Sequence, residues 1–556
     1  TELNVMVGPG RGSAAGSVVA YCLGITRIDP LKYDLLFERF LNPDRVNLPD
    51  IDTDFDDDGR GRVLQWVMDK YGHENCAHII TYGTMATKNS IKDVARVEKL
   101  PIAIANELCK AIPDRLPDGM KMNLANAIKC TPQLQDAEVS EDIRERNTIK
   151  YARMLEGTVR NTGIHACGFI ICRNPIDDWV PVSTATDPDF PEKKVPVTQY
   201  DGHVIESTGL IKMDFLGLKT LSELKEACKV IRQTTGDIID LDNIPIDDEL
   251  TYQLYQKGQT IGTFQFESAG MQKYLRELHP TVFEDLIAMN ALYRPGPMDY
   301  IPDFIKRKND PSLVKYDIPC MEKYLKDTYG ITVYQEQVMQ IASQLANFTL
   351  GQADMLRRAM GKKKPEIIAN LKSEFAEGAQ KNGISKAVSD SIFELIEYFA
   401  GYGFNKSHSA AYGLLSYQTA FLKCHYPKEF MAETLNSYID NNDKLRFYIE
   451  ETRKMGIAVL PPDINESGLG FTVTHEGIRF GLGAIKGVGM QPVVNIVETR
   501  HDKKFESFQD FLYRIDLSTG INKRLLTNLI NSGAFLSIHP ERKALLSICE
   551  EAFSMA

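Results

Sequence analysis

Apolar and polar positions recur with a period that changes several times along the 556-residue chain. Over 1–81, short apolar strand-like runs (3–7, 48–55, 78–82) alternate with stretches at helical spacing (14–23, 62–71), which predicts interleaved strands and helices. From 83 to 160 the spacing is helical throughout, and Lys88, Lys92, Arg96 and Lys99 recur every three to four residues as a basic stripe. Strand-like runs return at 168–172, 195–200 and 210–215. From about 221 to 460 amphipathic helices dominate, broken by turns such as Arg294-Pro295-Gly296-Pro297. Pro461-Pro462 ends that pattern; a short hairpin follows over 470–482, then further helices. No long-period repeat or low-complexity tract is present.

Composition narrows the picture. A chain this long exceeds one hydrophobic core, so several domains are expected. Hydrophobic residues at 43% and charged residues at 25% are ordinary for a globular protein, and no run of 18 apolar residues exists. The opening Thr1-Glu2-Leu3-Asn4 lacks an initiator Met, so a piece of a longer protein is expected. Ten cysteines are scattered without a Cys-x-x-Cys, which argues against a zinc ribbon or disulfide framework and for a reducing, cytoplasmic setting. A net charge of −11 disfavours a uniformly basic nucleic-acid binder, but a nucleic acid responds to local patches.

Six aspartates crowd the stretch Pro49-Asp50-Ile51-Asp52-Thr53-Asp54-Phe55-Asp56-Asp57-Asp58. On a strand, Asp50, Asp52 and Asp54 share a face at about 3.3 Å per residue, close enough for neighbouring carboxylates to hold divalent ions. Three readings compete. A solvated acidic turn is one. A calcium loop is another, since Asp54-x-Asp56-x-Asp58-Gly59 fits half of that pattern, but Gln65 stands where its bidentate Glu belongs. The third is a catalytic strand, completed by a carboxylate from Leu210-Ile211-Lys212-Met213-Asp214-Phe215, where Lys212 and Asp214 share one face and Ile211, Met213 and Phe215 pack the other. A lone Asp in an apolar strand is costly unless it meets a cation, although Asp214 can also cap a turn before Gly217.

Several segments suit anions. Gly8-Pro9-Gly10-Arg11-Gly12-Ser13 follows a strand pattern and precedes a helical one, an arrangement that presents backbone N–H groups to phosphate. It is neither a Walker loop nor a dinucleotide fingerprint, and a tight structural turn remains open. Arg11 and Arg39 can add charge-assisted bonds. Arg357-Arg358 and Lys362-Lys363-Lys364 place five cations within eight residues, uninterrupted by an acid, which favours phosphate binding. The stretch 401–412 gathers glycines, aromatics and polar donors, which fits a pocket for a base and sugar or a helix-capping loop. Phe264-Gln265-Phe266-Glu267-Ser268 and Tyr334-Gln335-Glu336-Gln337 are weaker examples. Gly483-Ala484-Ile485-Lys486-Gly487-Val488-Gly489 can aim amides at a duplex backbone.

The stretches 8–17, 37–55, 83–88, 212–220, 294–297, 334–340, 355–364 and 401–412 together resemble the α subunits of bacterial DNA polymerase III, the C-family replicative polymerases, in the same order from end to end. The resemblance implies an α+β, mostly α fold: a polymerase β-like nucleotidyltransferase palm with an inserted helical thumb, then large helical fingers and a helix-hairpin-helix region. The implied division is palm over 1–81, thumb over 82–162, second palm part over 163–220, fingers over 221–462, and the end of the fingers with the helix-hairpin-helix over 463–556. The N-terminal PHP domain, the first part of the palm, the clamp-binding motif and the OB-fold are expected outside this stretch.

By motif position, Asp50, Asp52 and Asp214 are the implied catalytic carboxylates and ligands of two Mg²⁺ ions, with Asp54 a supporting neighbour. Gly12, Ser13, Arg39, Lys212, Arg357, Arg358 and His408 would bind the incoming nucleotide, His408 lining its sugar. Lys88, Lys92, Arg96, Lys486, Gly487 and Gly489 would contact DNA. The implied partners are primer–template DNA and deoxynucleoside triphosphates, and, for a full-length member, the sliding clamp, the proofreading exonuclease subunit and the clamp-loader subunit, with no membrane. The implied activity is template-directed DNA synthesis; a template-independent nucleotidyltransferase with the same palm chemistry is the alternative.

Overall fold

The computed structural model describes residues 2–43, 51–117, 120–316, 318–361, 364–400 and 402–555. Asp50, Lys362, Lys363 and Gly401 lie outside the described residues. The fold is mixed α+β and mostly helical, with small sheets. The chain forms two compact units, one of Thr1–Arg60 with Leu216–Ala556, the other of Gly61–Phe215.

In the larger unit, helices pack around four buried clusters among the described residues. One joins helices Glu249–Lys257, Ala269–Leu278, Phe283–Leu292, Ile301–Asn309 and Lys406–His425 through Tyr255, Leu275, Leu286, Phe304 and Tyr417. A second gathers Gln335–Ala346, Leu350–Gly361, Pro365–Lys381 and Lys386–Ala400 around Met339, Leu356 and Phe375. A third holds Lys219–Thr234, Pro427–Ser437 and Asn442–Lys454 through Leu224, Phe430 and Tyr448. The last, around Phe511, Leu526 and Leu529, joins helices between Met490 and Met555.

Helix Lys406–His425 is buried along most of its length, with Ser407, Ser409, Ala410 and Ala411 among its buried residues. Small side chains there let neighbouring elements approach closely. The Asn405 side chain caps its start by accepting from the His408 N–H at 3.2 Å, and Pro427 follows its end.

Near the N-terminus the strand expected over 3–7 does not form. Its only ladder contact among the described residues is an isolated bridge between Val7 and Phe55. The helix expected over 14–23 is a single 3₁₀ turn, Ala14–Gly16, and then the short helix Val18–Cys22. The acidic strand is described as Thr53–Asp56, in which Asp54 and Asp56 are buried while Thr53 and Phe55 are half-buried. Helix Asp57–Tyr71 begins at once, and this overturns the calcium loop, because residues meant to wrap an ion are already wound into helix.

The run Asp56-Asp57-Asp58 has a structural reading of its own. Asp56 ends the strand, accepting from the Met6 N–H at 2.5 Å and pairing with Lys225 at 3.3 Å. Asp57 and Asp58 occupy the first helical turn, where carboxylates favour the dipole; Asp57 also bonds Ser222.

In the smaller unit, described strands lie side by side in the order Lys212–Leu218 (as far as Phe215 in this unit), Val159–Ile171, Cys76–Thr84, Lys194–Asp201, Val182–Thr186. The second and third pair antiparallel, with Ala77 opposite Ile170 and Thr81 opposite Gly163. Helices Thr87–Val97, Ile102–Ala111, Leu124–Cys130, Pro132–Glu138 and Ile143–Leu155 enclose a separate core of Ile91, Leu108, Leu124, Leu134 and Ile149. The expected helical stretch forms in its interior, but its ends at 83–84 and 159–160 belong to strands Cys76–Thr84 and Val159–Ile171. Strand Val182–Thr186 was not foreseen.

Candidate nucleotide and metal site

Within the larger unit, the glycine loop, the acidic strand and the start of helix Lys406–His425 come together. Gly8 N–H donates to the Asp54 carbonyl at 2.9 Å, laying the loop along the strand. Gly12 has φ +69°, and a Cβ there would stand 3.2 Å from Asp52 Oδ2, so glycine allows both the turn and the close approach. Gly16 is equally confined: a Cβ would fall 2.9 Å from Ser407 Oγ and 3.0 Å from the Leu36 carbonyl oxygen. Ser13 is half-buried beside Gly12 and begins the Ala14–Gly16 turn.

The electrostatics centre on Arg11. Its Nε lies 3.0 Å from Asp54 Oδ1 and its Nη2 lies 3.4 Å from Asp52 Oδ1. Tyr412 Oη donates to Asp54 Oδ2 at 3.1 Å. Asp54 is only 1% exposed, and burial pushes its carboxyl above the usual range while Arg11 and Tyr412 oppose that rise. The Tyr412 ring lies 4.2 Å from that of His408, whose Nδ1 accepts the Gly12 N–H at 3.1 Å. Burial, with Arg11 nearby, lowers the His408 pKa to about 4, so the ring is neutral at pH 7 and keeps Nδ1 as an acceptor.

A second group surrounds Arg39. Its Nε donates to Gln335 Oε1 at 3.1 Å, and burial, then repulsion from Arg357, lowers its pKa to about 10, which leaves it charged at neutral pH. Glu336 is buried and accepts the Lys406 N–H at 2.9 Å through Oε2; burial raises its pKa, and the Arg39 charge opposes this. Asp354, also buried, holds Arg357 at 2.8 Å and Arg358 at 2.6 Å, with Asn42 Nδ2 at 3.4 Å. The cation cluster is therefore not free of acids as its local sequence implied. The neutralising carboxylate lies three and four residues upstream, on the same helical face.

The stretch 401–412 proves to include a helix cap through Asn405, and also supplies His408 and Tyr412 to the site. Glu267, by contrast, is tied up inside the fold by Tyr448 at 2.8 Å and Lys444 at 3.3 Å.

In the smaller unit, Asp214 pairs across the sheet with Gly168, and its Oδ2 lies 3.1 Å from Lys212 Nζ. Its Oδ1 is buried without a hydrogen-bond partner among the described residues, an arrangement that a cation would satisfy. Phe215 is buried and stacks on Phe169, but Ile211 precedes the strand and is 51% exposed, so it does not pack the apolar face as expected. Taken unit by unit, Asp52 in the larger and Asp214 in the smaller each offer hard carboxylate oxygens of the kind Mg²⁺ takes.

Lys88, Lys92 and Arg96 project from the exposed face of helix Thr87–Val97, opposite buried Ile91, Val94 and Ala95. Lys99 falls beyond that helix, with φ +56°. Asp93 interrupts the stripe by pairing with Arg96 at 3.5 Å and Arg160 at 2.7 Å. In the C-terminal region Lys486, Gly487 and Gly489 are exposed in a turn between the 3₁₀ turn Leu482–Ala484 and helix Met490–Thr499. Gly487 has φ +79° and lies against Asn528.

Sequence reasoning noted Arg11 but did not single out Tyr412, Glu336 or Asp354. Each acts through a side-chain pairing rather than through a motif, and Tyr412 reaches a partner 358 residues away.

A loop of close-packed glycines thus lies beside carboxylates bridged by Arg11. Three family profiles match the chain: the bacterial DNA polymerase III alpha NTPase domain over residues 1–217, the bacterial DNA polymerase III alpha subunit finger domain over 220–383, and a helix-hairpin-helix motif over 456–545. The chain belongs to the bacterial DNA polymerase III α-subunit family. It is 49% identical over 552 residues to the DNA polymerase III subunit alpha of Neisseria meningitidis serogroup A, covering 99% of this chain and 47% of that protein. The proteins of the same name from Chlamydia trachomatis serovar D and Thermus aquaticus are 46% and 48% identical, over 99% and 98% of this chain and 44% of each relative. The chain thus spans about half the length of the curated relatives it matches.

Proposed function

We propose that this chain carries the catalytic core of a template-directed DNA polymerase, which joins deoxynucleoside triphosphates to a primer 3′-hydroxyl. The observation that carries this reading is the approach of Gly12 to Asp52 within 3.2 Å of a Cβ position, which brings an anion-suited loop against a carboxylate. The names of the relatives support the same activity and give none to template-independent transfer.

Asp50, Asp52 and Asp214 are the proposed ligands of two Mg²⁺ ions. When bound, such ions lower the pKa of the primer hydroxyl and neutralise the leaving pyrophosphate. The chain's own groups do the rest. Gly12 and Ser13 offer backbone and hydroxyl donors to the triphosphate, and Arg39, Lys212, Arg357 and Arg358 bring positive charge to it. His408, neutral and wedged between Gly12 and Tyr412, bounds the sugar. Lys88, Lys92 and Arg96, with Lys486, Gly487 and Gly489, contact the DNA backbone without reading bases.

The proposed division is a palm over 1–81 and 163–220, a thumb over 82–162, fingers over 221–462, and a helix-hairpin-helix region over 463–556. Primer–template DNA and deoxynucleoside triphosphates are the proposed partners, with the clamp, exonuclease and clamp-loader subunits joining the full-length protein. No described helix is long and apolar enough to cross a membrane. All ten cysteines are free thiols, in keeping with a proposed cytoplasmic location.

The test is primer extension by Asp214→Asn, with DNA binding measured in parallel. Extension is expected to vanish while DNA binding stays within about twofold, since the substitution removes a charge but keeps the shape. Near-normal extension would remove Asp214 from the chemistry, and extension that ignores the template sequence would remove template direction.

A further inference from the structure

Away from these residues, the larger unit holds a cleft of about 440 Å³ between helix Ile301–Asn309 and the C-terminal part of helix Lys386–Ala400. Its volume falls within the roughly 300–1,000 Å³ usual for small-molecule sites. Aromatic rings dominate one wall: Tyr300 lies 5.2 Å from Phe399 and 6.4 Å from Tyr398. Tyr316 adds a further ring to the lining. Tyr398 remains 54% exposed even though it packs against the rings of Tyr300, Phe399 and Tyr402, so part of its face is open to a stacking partner.

Charge in the cleft is arranged unevenly. Arg307 and Lys315 provide two cations, and Asp303 provides one carboxylate, one turn before Arg307 on the same helical face. One Arg307 N–H donates to the Tyr329 carbonyl at 3.3 Å, which steadies the side chain at the cleft wall. Lys315 is exposed. Thr332 supplies a hydroxyl at the same lining.

We propose that this cleft binds a nucleobase joined to a phosphate, the ring stacked on Tyr398 and its neighbours and the phosphate on Arg307 and Lys315. Stacking on aromatic side chains is worth about 1–3 kcal/mol per base and does not depend on base identity. Arginine adds charge-assisted bonds to phosphate oxygens. Asp303 gives the cleft a preference: a carboxylate accepts from the amino edges of guanine, adenine and cytosine, and thymine has no such amino group. A base of this kind arrives either in a free nucleotide or as an unpaired residue of a single strand.

The proposal goes beyond the polymerase reading and does not require it. It is tested in EDTA with deoxyguanosine monophosphate, thymidine monophosphate and a short single-stranded oligonucleotide as probes, by calorimetry on the whole chain. Deoxyguanosine monophosphate is expected to bind more tightly than thymidine monophosphate, and Asp303→Asn to narrow that gap. Tyr398→Ala and Arg307→Ala are each expected to weaken binding about tenfold, which corresponds to about 1.4 kcal/mol. Lys315→Ala, at an exposed position, keeps the test decisive if either of the others fails to fold. Tighter binding of the strand identifies the single-stranded source, and equal affinity the free nucleotide. Absence of saturable binding overturns the proposal, as does binding that survives Lys315→Ala and Arg307→Ala but is lost in Arg357→Ala, which would place the ligand at the other site.

Discussion

Tyr412 links two halves of the candidate site through one hydroxyl and one ring face, since it donates to Asp54 and packs on His408. Tyr412→Phe keeps the ring and removes the donor to a buried carboxylate, so about 1–3 kcal/mol of stability should be lost, read by urea denaturation. An unchanged midpoint would show that Arg11 alone satisfies Asp54. His408 gives a pH signature of its own. With a folded-state pKa of about 4 against an ordinary 6.5, the unfolded chain binds the proton first as pH falls. Its contribution is therefore complete above pH 6.5 and declines between 6.5 and about 4, by at most about 3 kcal/mol. In His408→Gln that part of the pH dependence should disappear, as followed by thermal melts across this window. At this scale Gly12 and Asp214 could be read from the sequence, because a strand-flanked glycine and a carboxylate in an apolar run are local anomalies. Tyr412 and Asp354 could not, because a tyrosine or aspartate at helical spacing looks the same whether its partner is water or a buried side chain.

Among the elements, the glycine loop is held by close approach rather than by regular hydrogen bonding. Gly16→Ala would push a methyl group against Ser407 and the Leu36 carbonyl, an overpacking that costs about 1–3 kcal/mol. The expected result is a lowered melting temperature with reduced nucleotide affinity, and an unaltered melt would mean the loop can shift without cost. The helices between Thr87 and Leu155 were legible because each has one apolar face. The segment 3–7 misled for a related reason: Leu3, Val5 and Val7 carry the apolar alternation, yet Val7 alone finds a ladder partner. Strand Val182–Thr186 has the reverse history. It lies at a sheet edge and is almost wholly exposed, so no apolar alternation announces it; pairing with Lys194–Asp201 fixes it instead.

For the whole molecule, sequence period marks where elements change type but not which elements pack as a unit. The unit Gly61–Phe215 draws strands from both sides of the helical stretch, and contacts distant in sequence decide that. If the basic stripe holds a duplex backbone, replacing Lys88, Lys92 and Arg96 with alanine should flatten the dependence of log affinity on log salt by about 2 to 3, at roughly 0.9 per phosphate contact. A parallel shift with no change of slope would assign the stripe to solvation alone. Asp354 carries a consequence for turnover. Because it already grips Arg357 and Arg358, a phosphate arriving there on the proposed reading would not meet bare charge but would have to displace a resident carboxylate. The net attraction would then be a difference between two similar bonds, so the grip on a departing phosphate would be moderated by a competitor that never diffuses away.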